Sequence, residues 1–275
     1  MAKMICLPRF AIQALSWFLL TLAVLSFAAC LKRGAQKELI VAGSTSIQPF
    51  ADRWAEIYMT KYPGRIVNVQ GGGSSSGIQA ARSGAADIGT SSRELKPEEK
   101  DLTEIVVARD GLAVIVHPSN PVSDLTISQV RQIFAGEQRS WKDFGGRNRA
   151  ITVVTREEGS GTRGAFQELV MGKVRITKGA IVEDSNGTVR EIVAGDPDSI
   201  GYISLGLVNS AVKALNLDGV MPTDANILEN RYRLVRPFLF VTKGPAGSEA
   251  KEFTDFVLSR EGQDLIRKEG LIPVQ

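Results

Sequence analysis

Two cysteines and one histidine are all that this 275-residue chain contains of its strongest metal-ligating and nucleophilic residues. Cys6 and Cys30 are too few for a disulfide framework. No cluster of cysteine and histidine exists that could bind structural zinc. His117 is the sole imidazole, so a serine triad has one candidate base at most. The sequence carries no Walker A motif and no glycine fingerprint of a dinucleotide fold. It has no internal repeat of 20–50 residues and no long low-complexity tract. Net charge is low, with 33 basic against 30 acidic residues. No broad basic field is available for nucleic acid. An anion site in such a chain must work through local geometry.

What is present begins with an export signal. Lys3 and Arg9 precede an apolar run from Ala11 to Ala29, closed by Ser26-Phe27-Ala28-Ala29-Cys30. A basic start, an apolar stretch and small residues at a cleavage point define a signal peptide. Cysteine directly after the small residues resembles a bacterial lipobox, with Phe27 where Leu, Val or Ile is usual. The reading is a lipoprotein signal over residues 1–29, a lipid on Cys30 and a tether over 30–37. A retained membrane helix is the alternative, since the run is nearly long enough to span. Either reading puts the remainder outside the cytoplasm, anchored to a membrane. Loss of Lys3 and Arg9 leaves 31 basic and 30 acidic residues.

Beyond the tether, strand-like apolar runs alternate with helical patterns, which implies an α/β fold with a mostly parallel sheet. Strands are expected at 39–42, 66–70, 87–89, 112–116, 151–155, 181–182, 200–204 and 238–242. Helices are expected at 48–61, 78–83, around Ile127–Phe134, at 162–171 and at 248–259.

Three Ser/Thr/Gly-rich loops each follow a strand and precede a helix. They are Gly43-Ser44-Thr45-Ser46, then Gly71 to Gly77, then Arg156 to Thr162. The first turn of a helix has unpaired N–H groups, and its dipole favours an anion. Glycine permits close backbone approach, and Ser and Thr hydroxyls add hydrogen bonds. Any one such loop usually only caps its helix. Three together, with Arg156 able to grip an oxyanion through two bonds, point to a tetrahedral anion. The segment Gly73-Ser74-Ser75-Ser76-Gly77 also fits the serine-hydrolase elbow. That chemistry lacks a partner here, because His117 follows an apolar strand with no assignable acid.

The segments GSTSIQPFA (43–51), VQGGGSSSGI (69–78), ADIGTSSREL (86–95), TREEGSGTRGAF (155–166), IGYISLG (200–206) and RPFLFVTKG (236–244) resemble, in order and spacing, the phosphate-binding proteins of bacterial ABC importers. The resemblance implies a two-lobed type II periplasmic-binding fold with a ligand cleft between the lobes. The first lobe would take 38–116 and 235–275, and the second 117–234, with a hinge near His117 and Leu234. Carried over by position, the phosphate-binding residues would be Thr45, Ser46 through its backbone N–H, Ser74, Arg156, Ser160, Gly161 and Thr162. Glu158 would orient Arg156 from behind. Some family members place an aspartate, which accepts the proton of hydrogen phosphate, where this chain has Ser92. A serine there can accept that proton or donate to a fully deprotonated oxyanion. The implied partners are inorganic phosphate, the permease subunits of an importer and the membrane. A monomer is expected, with no cofactor, no metal, no nucleic acid and no catalysis. The same fold binding sulfate or molybdate, or a phosphate-sensing lipoprotein, are the alternatives.

Overall fold

A computed structural model describes residues 38–274. The signal segment, Cys30 and the tether lie outside them. Among the described residues, no helix is long and apolar enough to cross a membrane.

The chain opens with β1 (Glu38–Gly43), in which alternate residues Leu39, Val41 and Gly43 are buried. Helix α1 (Gln48–Lys61) follows, with Pro49 in its first turn. It buries Phe50, Ala51, Trp54, Ala55 and Tyr58, the three-and-four spacing of one helical face. Next come β2 (Ile66–Gln70), α2 (Ser74–Ser83) and β3 (Ile88–Ser91). Helix α2 starts four residues before the expected Ile78, which places Ser74 in its first turn.

A long strand, β4 (Thr103–Val116), leads out of this half. Then come β5 (Asp124–Leu125) and α3 (Ile127–Ala135), whose cap Thr126 accepts from the Gln129 amide. Strand β6 (Thr152–Arg156) feeds α4 (Gly161–Phe166), which runs on as a π-turn over Gln167–Met171. The half continues with β7 (Ile181–Glu183), α5 (Asn186–Gly195), β8 (Ser199–Ser204), β9 (Lys213–Ala214), β10 (Asn216–Leu217) and α6 (Asp224–Leu228). The chain returns through β11 (Val235–Thr242) and ends with α7 (Ser248–Leu258) and α8 (Arg260–Lys268).

The main sheet runs β2-β1-β3-β11-β4-β8-β6-β7, with β9 on β4. Its two flanks are parallel, as the alternating pattern implied. Its centre is antiparallel, because β11 returns between β3 and β4, and β4 pairs against β8. The fold is a two-lobed type II periplasmic-binding fold.

Burial divides the apolar residues into separate cores. One core gathers Leu39, Val41, Phe50, Trp54, Ile88, Val107, Ala108, Phe238, Phe240 and Phe253. Another gathers Leu112, Val114, Val116, Ile133, Phe134, Phe166, Tyr202 and Leu234. Strand β4 contributes to both, through Val107 and Ala108 to the one and through Leu112, Val114 and Val116 to the other. The apolar run 112–116 pairs across the ladder with β8. Strand β11 likewise runs from Val235, packed against the second of these cores, to Phe238 and Phe240 in the first.

Candidate functional site

Glycines pack the first-lobe loops tightly. A Cβ on Gly77 would sit 2.5 Å from the Ala42 carbonyl and from the Gly43 Cα. Only glycine lets α2 ride this close to β1. The Ser44 amide donates to Thr90 Oγ1 at 2.8 Å, which ties the first loop to β3. Ser44 Oγ donates to Ser92 Oγ at 2.9 Å and accepts from the Ser46 amide at 3.2 Å. The Ser92 amide donates to Ser74 Oγ at 3.1 Å, and the two hydroxyls lie 3.4 Å apart. Ser44, Ser46, Ser74 and Ser92 are all buried.

Arg156 ends β6 in the second lobe and is only 1% exposed. Its Nε donates to Glu157 Oε2 and to the Glu183 carbonyl, both at 3.1 Å. Its Nη2 donates to Glu157 Oε1 at 3.1 Å, to the Asp184 carbonyl at 2.7 Å and to Thr45 Oγ1 at 3.0 Å. Nη1 is buried and has no hydrogen-bond partner among the described residues. A buried donor left unpaired costs about 1–3 kcal/mol, more on a charged group. Behind Arg156, Tyr202 Oη pairs with Thr155 Oγ1 at 2.7 Å. Burial pushes this phenol up to about 12, so it stays protonated. Ser160 caps α4 by accepting from the Arg163 amide at 3.2 Å.

One expected supporting role moves to a neighbour. Glu158 is exposed and lies 3.9 Å from Arg163. The carboxylate that clamps Arg156 is Glu157, which sits next to it in the chain and folds back along the guanidinium. The Ser46 amide is likewise turned to Ser44 Oγ, and it is the Ser46 hydroxyl that reaches across to the other lobe.

The lobes meet along one seam. Ser46 Oγ lies 2.6 Å from Thr162 Oγ1, and the Ser75 amide donates to the Gly159 carbonyl at 3.1 Å. A Cβ on Gly161 would collide with Ser74 Oγ and lie 2.6 Å from Ser92 Oγ. Thr45, Ser46, Ser74, Ser92, Arg156, Gly161 and Thr162 thus come together from both lobes, with Ser160 beside them capping α4.

Other residues of the seam escaped the sequence. Asn186 is buried at the start of α5; its Nδ2 donates to Ser46 Oγ at 2.8 Å, and its Oδ1 accepts from the Ser204 amide at 3.1 Å. The turn-like Ser185-Asn186-Gly187 was the one available signal. Where the lobes cross, Arg236 binds Asp110 through Nε at 2.9 Å and Nη2 at 2.8 Å, with both side chains at most 1% exposed. Ser204 Oγ donates to the other Asp110 oxygen at 2.7 Å, and Arg236 Nη1 donates to the Ser92 carbonyl at 3.3 Å. Burial pushes the Asp110 carboxyl up against the pull of Arg236.

His117 Nδ1 accepts from the Ser119 amide at 3.0 Å, inside its own turn. No group of three potential metal ligands occurs among the described residues. A separate groove of about 630 Å³ is lined by residues that include Glu94, Val106, Arg109, Leu228, Asn230 and Ile272. It contains none of the seam hydroxyls.

Fold and seam together define a two-lobed solute-binding protein. Residues 32–261 match the model of the PBP superfamily domain. The phosphate-binding protein PstS of Bacillus subtilis (strain 168) is 35% identical over 87% of this chain and 82% of its own length. A structure from Clostridium perfringens, described as a phosphate ABC transporter substrate-binding protein with bound phosphate, superposes with a TM-score of 0.85 at 42% identity. That alignment covers 87% of this chain and 100% of the other. An ABC-type phosphate transport receptor from Vibrio cholerae gives a TM-score of 0.72 at 38% identity, over 85% and 99% of the two chains. The chain belongs to the PstS family of phosphate-binding proteins within the PBP superfamily.

Proposed function

We propose that the protein captures inorganic phosphate at the seam between its lobes and delivers it to an ABC-type importer. The observation that carries this reading is Arg156 Nη1, a buried cationic donor without a partner on a guanidinium whose Nη2 reaches Thr45 Oγ1 of the other lobe. A phosphate oxygen there would supply the missing acceptor and relieve the desolvation cost. Thr45, Ser46, Ser74, Ser92, Ser160, Gly161 and Thr162 complete the cradle, and Glu157 holds the guanidinium in plane. The glycine-rich starts of α2 and α4 add their dipoles.

The names of the relatives support phosphate as the solute and an importer as the destination. They also support a binding role rather than catalysis. The protein acts outside the cytoplasm, as a monomer tethered by a lipid on Cys30. It opens and closes by bending at Asp110–Gly111 and Val235–Arg236.

Isothermal titration of the soluble chain from residue 31 onward with inorganic phosphate tests the reading. Saturable one-to-one binding, absent in Arg156→Ala, is the expected result. Equal binding by that variant would overturn the site. Mass spectrometry of the membrane-extracted protein tests the lipid on Cys30.

A further inference from the structure

Gly164 lies inside α4, where alanine would be the better helix former. It does not have the positive φ that calls for glycine. The reason for its small size lies across the seam. A Cβ built on Gly164 would stand 2.8 Å from Arg93 Cδ, 3.7 Å from Arg93 Nε and 3.8 Å from Arg93 Cβ. The nearest atoms beyond its own helix all belong to that one side chain, which the other lobe supplies. At 2.8 Å one of the two partners would have to move.

Arg93 is not free to move. Its Nη1 donates to Glu99 Oε2 at 2.7 Å and to the Glu94 carbonyl at 2.9 Å. Its Nη2 donates to Glu99 Oε1 at 2.9 Å and to Ser75 Oγ at 3.3 Å. Its carbonyl accepts from Ser91 Oγ at 2.9 Å. These partners all come from the first lobe. Pairing with both oxygens of one carboxylate fixes the guanidinium plane. Arg93 and Glu99 are only 7% and 8% exposed. The stem is thus braced by its own lobe, and α4 of the second lobe covers it.

The loop before α4 is tied to the same place. The Ser75 amide donates to the Gly159 carbonyl at 3.1 Å, so Ser75 touches both Arg93 and the second lobe. Neither Arg93 nor Gly164 belongs to the cradle of hydroxyls around Arg156.

Resting on the phosphate-capture reading above, we propose that Arg93, locked by Glu99, is the stop against which the second lobe closes, and that Gly164 is the place on α4 that receives it. The pair sets how closely the lobes approach, and so how long the anion is held. Both are positioning residues. They act on the ligand through the distance between the lobes.

The test is Gly164→Ala in the soluble chain from residue 31 onward, with inorganic phosphate followed by calorimetry and stopped flow. Overpacking a contact made only in the closed form should weaken phosphate by about tenfold. The loss should appear as faster release, with capture little changed. Melting without phosphate should equal or exceed wild type, because alanine favours the helix. A cycle with Glu99→Ala identifies the cause. That change frees the Arg93 stem to swing aside, so Gly164→Ala added to it should cost less than about threefold. Arg93→Ala removes the stem outright and is a second background for the same comparison. Wild-type affinity in Gly164→Ala would overturn the proposal. So would a lower melting point without phosphate, which would make the contact part of the fold rather than of closure. An equal loss in all backgrounds would also overturn it, since Arg93 would not be the cause. A wild-type chain that bound no phosphate would instead remove the reading on which this one rests.

Discussion

Arg156 and Arg236 are both buried to 1% side-chain exposure, yet they end differently. Arg236 meets a fully buried carboxylate, which is itself braced by Ser204. Its third nitrogen is absorbed by the Ser92 carbonyl. Arg156 shares a carboxylate that is one-third exposed, and one of its nitrogens has no partner. A buried cation closed off by its own fold holds strands together. A buried cation left partly open invites an anion. Burial alone does not separate the two roles; the hydrogen-bond count does.

The comparison can be broken at either arginine. Arg156→Ala should weaken phosphate binding by about 10³-fold or more, as expected for a desolvated charge contact, with a much smaller change in melting. Loss of fold with retained affinity would reverse the roles assigned here. Asp110→Ala leaves Arg236 buried without its counter-ion and should cost about 3 kcal/mol in urea unfolding. If that variant kept its stability and lost only affinity, Arg236 would belong with Arg156. Ser74→Ala removes one neutral donor and should weaken phosphate by about tenfold in calorimetry.

The smallest effect is expected at a third buried arginine, Arg93, which Glu99 clamps at 2.7 and 2.9 Å. Burial would raise the Glu99 carboxyl, but the Arg93 hydrogen bonds and the Lys96 amide outweigh it and hold it below the usual range. A depressed carboxyl contributes stability above its unfolded value near pH 4.3 and loses it as pH falls through the folded value. The melting difference between wild type and Glu99→Gln should therefore shrink as pH drops into that acid window. A difference independent of pH would assign Glu99 to packing alone.

Much of this was legible in sequence where the determinants are local. The α1 helix falls at 48–61 as its apolar spacing implied, and the three glycine loops converge as their shared strand–loop–helix setting implied. What stayed hidden depends on partners far along the chain. The first part of β4 shows no clean alternation, because Asp110 is buried only through Arg236, 126 residues away. Helix α5 begins in a turn-like Asn186-Gly187, and its start depends on the Ser185 cap and on Ser46, 140 residues earlier. Glu157 and Glu158 are adjacent and chemically alike. Which one faces Arg156 follows from how the loop folds back, a property that no spacing encodes.

The position of β11 also governs when this protein can fold. The strand nearest the end of the chain lies between β3 and β4, so the first-lobe sheet is split until residues 235–242 arrive. During synthesis the second lobe can assemble while the first remains without its middle strand. Domains generally form as units as they emerge, and here the unit begun first is completed last. If the chain is exported as proposed, that order leaves the first lobe open until residues 235–242 have emerged.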